Sequence, residues 1–461
     1  MKKKTEIIFS KKSKKYTDEL TGVVDETLGI DFISAKSFNI VDLWNIHRRS
    51  KTLTFSRKAM KIFFYFFTML LFSFCAQAQE NSPFTTGFEK NTLSKILDEQ
   101  RKIWIHIPNI NGGNENTGKG LYPVIYLLDG DANFNDIVSM TEFMSNAGLC
   151  PPMIIVGVLH QNRMTELTFG TDKETPGVVG KGEIFMLYVE RELMPYIESN
   201  YPTAPYKIFI GHSVGGLTVL NNLIHHPNLF NAYVSLDGAL WWNDQQIVKE
   251  AKLILANHNY KGKTLFMALA NRMEKGMDTL DVQKDTTEGT ELIRSNLEFI
   301  KDVFKNKSNQ LRFQHKFYEN DDHSSVRFIG EYDALRFIFN YYKLQIYNSE
   351  LSDPNFKLDS LLATHYNNIS EQIGYRVKPD ENLVNGLAYY MMQQKQFNKA
   401  EALFKLNIGN YPGSANCYDG LGDLYLAKGD KANAIEYFKK TLSLKAIPET
   451  KEKLEKLLKE K

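Results

Sequence analysis

A chain of 461 residues exceeds the usual size of one domain, and its 43% hydrophobic and 12% aromatic content is enough for a full-sized core. Its 56 basic and 54 acidic residues leave a net charge of +2, which gives no signal for nucleic-acid binding. The three cysteines, Cys75, Cys150 and Cys417, are too far apart for a metal-ligand pattern, and no H-E-x-x-H occurs, so neither a metal nor another cofactor is expected.

Residues 1–59 are polar, with basic clusters at Lys2–Lys4, Lys11–Lys15 and His47–Arg49, and no packed domain is expected there. Arg57-Lys58-Ala59-Met60-Lys61 then leads into an apolar run, Ile62 to Phe74, closed by Ala76-Gln77-Ala78. That is the basic, apolar and small-x-small order of a secretory signal peptide over 60–78. The run falls short of the roughly 20 apolar residues a membrane span needs, so contact with the membrane is expected only as an anchor if the signal segment stays uncleaved. Bulky Phe74 before Cys75 argues against a lipidated cysteine. We therefore expect Met60 to be the true start, 1–59 to be a disordered or misassigned extension, and the mature chain to be periplasmic or secreted.

A globular domain is expected over 84–347. Ile103 to Pro108 alternates like a strand, and Tyr122 to Leu128 and Met153 to Leu159 are continuous apolar runs of the kind found in buried parallel strands. Phe134 to Ala147 can form the crossover helix between them, and Gly182 to Asn200 has helical spacing. Further strands are predicted at Lys207–Ile210, Ala232–Asp237, Thr264–Ala270 and Leu311–Phe317, separated by helical stretches. Strands alternating with helices predict an α/β three-layer sandwich on a mainly parallel sheet.

Gly211-His212-Ser213-Val214-Gly215 lies between an apolar strand and the helical run Leu217 to Ile224. Strand, sharp turn and helix around G-x-S-x-G make a nucleophile elbow, in which glycines let the two elements pass closely and expose the serine Oγ. A nucleophilic serine needs a base, and the base needs a group to orient it. Of the histidines after Ser213, His225 and His226 end the elbow helix, His315 falls inside a strand, and His258 and His365 carry no such setting. His323 lies in the polar loop Glu319–Ser325 directly after the last strand, where a base belongs. For the acid, Glu274 follows the strand Thr264–Ala270 and stands first, with Asp278 and Asp237 as alternatives. Backbone N–H groups of Val214 and of Gly130 or Asp131 are the expected oxyanion donors. Trp241 and Trp242 could line a substrate pocket, although neighbours on a strand point opposite ways.

From 358 to 461 the pattern changes. Gly386 and Gly420, Leu387 and Leu421, and Ala400 and Ala434 are each 34 positions apart. That is the tetratricopeptide period, and it predicts two all-α repeats at about 382–415 and 416–449. Two repeats seldom stand alone, so they are expected to pack on a neighbour such as a helix over 358–373. Their role is either a structural cap or the binding of a protein or peptide partner.

Tyr126-Leu-Leu-Asp-Gly-Asp-Ala-Asn-Phe134, Gly211-His-Ser-Val-Gly-Gly216, His226-Pro-Asn-Leu-Phe230, Leu240-Trp-Trp242 and Asp322-His-Ser324 together resemble the putative esterase family, which includes siderophore (enterochelin-type) esterases, esterase D and feruloyl esterases. The resemblance covers about 84–345 and implies an α/β-hydrolase fold with metal-independent ester hydrolysis, Ser213 as nucleophile and His323 as base. Some siderophore esterases of the family use a Ser-His pair without a firm acid, which bears on Glu274. The chain departs from the family pattern at Ser235-Leu-Asp-Gly238, where Ser-Pro is common. The expected function is an exported serine esterase for a small-molecule ester of siderophore or feruloyl type. Its rivals are an acyltransferase of the same fold and a non-catalytic envelope scaffold acting through the repeats.

Overall fold

The computed structural model describes residues 86–108, 121–173 and 175–459. The signal segment and Cys75 lie outside the described residues. A compact unit runs from Phe84 to the C-terminus.

The strands are β1 (Phe88–Ser94), β2 (Glu99–His106), β3 (Tyr122–Leu128), β4 (Ile154–Val158), β5 (Phe169–Thr171), β6 (Val179–Lys181), β7 (Thr203–His212), β8 (Ala232–Leu236), β9 (Thr264–Ala270) and β10 (Arg312–Tyr318). Eight of them form one sheet in the order β1-β2-β4-β3-β7-β8-β9-β10. β2 is antiparallel to both neighbours, and every pairing from β4 to β10 is parallel. β5 and β6 make a separate hairpin.

The apolar runs of β4, β8 and β9 are buried at every position because helices cover both sides of the sheet's centre. Successive side chains then serve two cores. Val124, Tyr126 and Leu128 face one with Leu217 and Leu223, while Ile125 and Leu127 face the other with Phe134 and Leu335. The outer strand β1 is exposed along most of its length, which is why its polar sequence gave no strand pattern. Pairing along β3 and β7 shifts register between Tyr122 and Val124, next to Pro123, which has no N–H to donate.

The helix Leu358–Ile373 ties the C-terminal part to the α/β layers. Ile369 and Ile373 enter the second core, and Leu358 and Leu362 join Val384, Leu403 and Phe404 in a third. The paired helices Glu381–Gln393 with Phe397–Asn410 and Ala415–Ala427 with Lys431–Leu444 follow, then Pro448–Lys459. A Cβ on Gly420 would lie 2.4 Å from the Phe404 ring, so this glycine is what lets neighbouring helices close up.

Candidate active site

Three adjacent parallel strands, β3, β7 and β8, are each followed directly by a non-glycine residue at positive φ. These are Asp129 (φ 54°), Ser213 (φ 58°) and Asp237 (φ 45°). Such conformations cost on the order of 1–3 kcal/mol each, and here they cluster at one edge of the sheet. Ser213 is held in its turn by a hydrogen bond from its N–H to Leu236 O (3.0 Å), and its own carbonyl accepts from Ala239 N (2.9 Å). The elbow needs its glycines. A Cβ on Gly211 would lie 2.4 Å from Gly215 O, and one on Gly216 would lie 2.9 Å from Gly238 Cα.

His323 lies after β10, and its Nδ1 is 2.6 Å from Asp237 Oδ2. Asp237 is fully buried and fixed on its other side, where Oδ1 accepts from Ala270 N at 3.0 Å. Its backbone N–H is also used, donating to Ala268 O at 2.8 Å. This corrects the first choice of acid. Glu274 is exposed in the loop after β9, as is Asp278, whose carboxylate instead caps the short helix Thr279–Val282. The physical reason is reach. β8 ends beside the elbow, and the turn at Asp237 points its carboxylate back toward the loop that carries His323.

Val214 opens the helix Val214–His225, and Gly130 and Asp131 open the helix Gly130–Asn146. Their N–H groups therefore belong to first helical turns, which lack internal acceptors and carry the positive end of the helix dipole. Gly130 cannot be larger, because a Cβ there would lie 2.7 Å from the backbone of Gly157. Asp131 turns its side chain to solvent.

Trp241 and Trp242 lie at a helix start, not on a strand. Trp242 is buried and its Nε1–H donates to Phe169 O at 2.8 Å, which corrects its expected place as a substrate contact. Trp241 is half-buried against it, with ring centroids 5.9 Å apart. A cavity of about 470 Å³ flanks the elbow helix between Leu217, Asn221, His225, Trp242 and Ile247. Neither Ser213 nor His323 lines it, so it is not where an ester would meet the serine.

Sequence reasoning missed the ionic scaffold beneath these turns. Arg163 grips Asp129 with two hydrogen bonds (Nε–Oδ1 2.6 Å, Nη2–Oδ2 2.8 Å) and also donates to His212 O at 3.0 Å. His160 Nε2 lies 3.3 Å from Asp129 N, and its Nδ1 lies 2.9 Å from Glu166 Oε2. Glu166 in turn receives both terminal nitrogens of buried Arg101 at 2.9 and 2.8 Å. Burial alone would raise the Glu166 pKa, but the hydrogen bonds from His160 and Arg101 hold it down at about 2. The only trace of this scaffold in the sequence was Asp129 itself, an acid ending an apolar strand. Its partner stands 34 residues away on another element.

The Putative esterase family model matches residues 94–328, just over half of the chain. The chain is 24% identical over 153 residues to the siderophore triacetylfusarinine C esterase of Aspergillus fumigatus, a match covering 30% of this chain and 51% of that protein. It is 32% identical over 153 residues to the ferri-bacillibactin esterase BesA of Bacillus subtilis, covering 28% and 52%. It thus spans about half the length of these curated relatives. Among solved structures, an IroE-like serine hydrolase from Shewanella oneidensis is 29% identical with a TM-score of 0.57, covering 70% of this chain and 98% of that one. An α/β sheet with a strained serine elbow, and a histidine held by a buried aspartate in the loop after the last strand, agrees with these matches: the chain belongs to the putative esterase family and has the family's α/β serine-hydrolase fold.

Proposed function

We propose that this protein is a carboxylic-ester hydrolase that works through an acyl-enzyme on Ser213. The observation that carries the reading is the 2.6 Å hydrogen bond between His323 Nδ1 and buried Asp237, next to a serine strained at φ 58°. The carboxylate keeps the Nδ1 proton in place, so His323 Nε2 is free to accept the Ser213 Oγ proton as that oxygen attacks the ester carbonyl. Negative charge develops on the carbonyl oxygen, where the N–H groups of Val214 and of Gly130 or Asp131 stabilise it. Collapse expels the alcohol, which takes its proton from His323. Water, deprotonated by the same histidine, then releases the acid and restores Ser213.

The named relatives act on siderophore esters, which supports a siderophore-type trilactone or related ester as substrate ahead of a feruloyl ester. Export rests on the signal-peptide pattern at 60–78, and the product would then be released in the periplasm or outside the cell. The C-terminal helical pairs, read as tetratricopeptide repeats, give the enzyme a surface for a peptide partner. The test is hydrolysis of p-nitrophenyl butyrate, a catecholate trilactone and methyl ferulate by the wild type and by Ser213→Ala and His323→Ala. The reading expects both variants to lose at least about 100-fold in kcat on every substrate turned over. Wild-type rates that survive in Ser213→Ala would refute it.

A further inference from the structure

The residue that precedes the serine has its own task. His212 Nε2 lies 2.6 Å from the backbone oxygen of His323, and the two imidazole rings lie 4.4 Å apart, tilted by 43°. Burial first, then the nearby His323 ring and Arg327, push the His212 pKa down to about 4, against the opposing pull of the hydrogen bond to His323 O and of Asp237. The ring is therefore neutral at pH 7, and because its Nε2 faces a carbonyl, that nitrogen must carry the proton. His212 is thus a neutral donor fixed in one tautomer.

The main chain of His212 is itself tied on both sides. It ends β7, pairs with Leu236 of β8, and its carbonyl accepts from Arg163, which grips Asp129 at the end of β3. A chain of bonds therefore runs from the turn beside Gly130, through Arg163 and His212, to the carbonyl of the candidate base. On its far side that base is tied to Asp237.

We propose that His212 is a positioning residue for the base: its Nε2–H clamps the main chain of His323 and so sets the angle at which the imidazole spans Asp237 and Ser213. The proposal rests on the Ser213–His323–Asp237 reading above. It asks nothing of His212 toward substrate. Other bonds hold the loop's fold. Arg327 donates from Nε to Ser324 O (3.0 Å) and from Nη1 to Asn133 Oδ1 (2.8 Å), Asp322 Oδ1 accepts from Ser324 N and Ser325 N (both 2.8 Å), and Asn271 N donates to Asp321 O (2.8 Å). Without His212 the loop should stay folded while the His323 carbonyl is free to turn.

The test compares His212→Phe, which keeps a ring but has no donor, with His212→Gln, whose amide nitrogen reaches about as far as Nε2, and His212→Asn, whose amide falls short. Readouts are kcat and KM on p-nitrophenyl butyrate, the rate of Ser213 labelling by a fluorophosphonate, and the melting temperature. A displaced base costs rate and not binding. We expect kcat and the labelling rate to fall together by roughly 30- to 100-fold in His212→Phe, with KM within about twofold. His212→Gln should recover most of that loss and His212→Asn should not. If His212→Phe does not fold, the Gln and Asn variants still isolate the reach of the donor. A kcat within about threefold of wild type in His212→Phe would overturn the proposal, as would equal losses in Gln and Asn or a change carried by KM. Failure of the underlying reading looks different: wild-type protein would resist the fluorophosphonate, and Ser213→Ala would keep full activity.

Discussion

Replacing Asp237 with Asn tests the assignment of the acid almost atom for atom. An Asn carbonyl can still accept from Ala270 N, which reaches Oδ1 at 3.0 Å, so the turn keeps one of its anchors. The other side chain atom becomes an NH₂ facing His323 Nδ1, where Oδ2 stood at 2.6 Å. Two donors cannot share that line, so the imidazole must move its proton to Nε2, the nitrogen that has to accept from Ser213. The loss has two parts. A hydrogen bond to a charged partner contributes about 1.5–3 kcal/mol net. The imidazolium formed in the transition state also loses a carboxylate about 4 Å away, on the order of 2–4 kcal/mol at an effective dielectric of 20 or somewhat more. Together these amount to roughly 3.5–7 kcal/mol, or about 400- to 10⁵-fold in kcat. The assay is p-nitrophenyl butyrate hydrolysis at pH 7.5, with Glu274→Gln in parallel, since Glu274 is exposed and the base is already bonded to Asp237, so its loss should change the rate by less than about twofold. Near-wild-type activity in Asp237→Asn together with a large loss in Glu274→Gln would refute the reasoning.

Three other outcomes follow from packing and ionisation. Gly211→Ala would set a Cβ 2.4 Å from Gly215 O, which backbone cannot yield cheaply, so we expect a loss of about 3 kcal/mol in urea unfolding and a damaged elbow. Buried Glu331 has its pKa raised from 4.5 to about 8, first by burial and then by Asp136. The folded chain therefore keeps a proton that the unfolded chain has released, so stability is full below pH 4.5 and is lost as pH rises toward 8, at up to about 1.4 kcal/mol per unit. Glu331→Gln removes that slope, and its melting temperature should overtake the wild type increasingly between pH 5 and pH 8; parallel curves would contradict the assignment. Ile369→Ala with Ile373→Ala, two fully buried side chains of the tail helix, should cost about 4–8 kcal/mol in stability although neither belongs to the turns at Asp129, Ser213 and Asp237.

The interior strands and the elbow were legible because their constraints are local. β3, β4, β8 and β9 are almost wholly apolar since both their faces are covered, and the serine turn demands glycines at fixed offsets. β1 was not legible, because an outer strand that faces water needs no apolar alternation, and the β5–β6 hairpin has only 3 residues on each arm. Asp237 was weighed but ranked behind Glu274, since sequence shows which strand an acid follows and not which way its turn points. The positive φ at Asp237 decides that direction. The tie of Arg163 to Asp129 and of His212 to His323 joins residues 34 and 111 apart, and no periodicity carries such pairings.

The most direct measurement of the central claim is rapid acid quench of the wild-type protein during p-nitrophenyl acetate turnover, followed by peptide mass mapping. The account predicts one acetyl group, on Ser213, absent from Ser213→Ala and formed far more slowly in His323→Ala. Acetyl on another residue that is chemically competent for turnover, or turnover with no acyl-enzyme on Ser213, would contradict it.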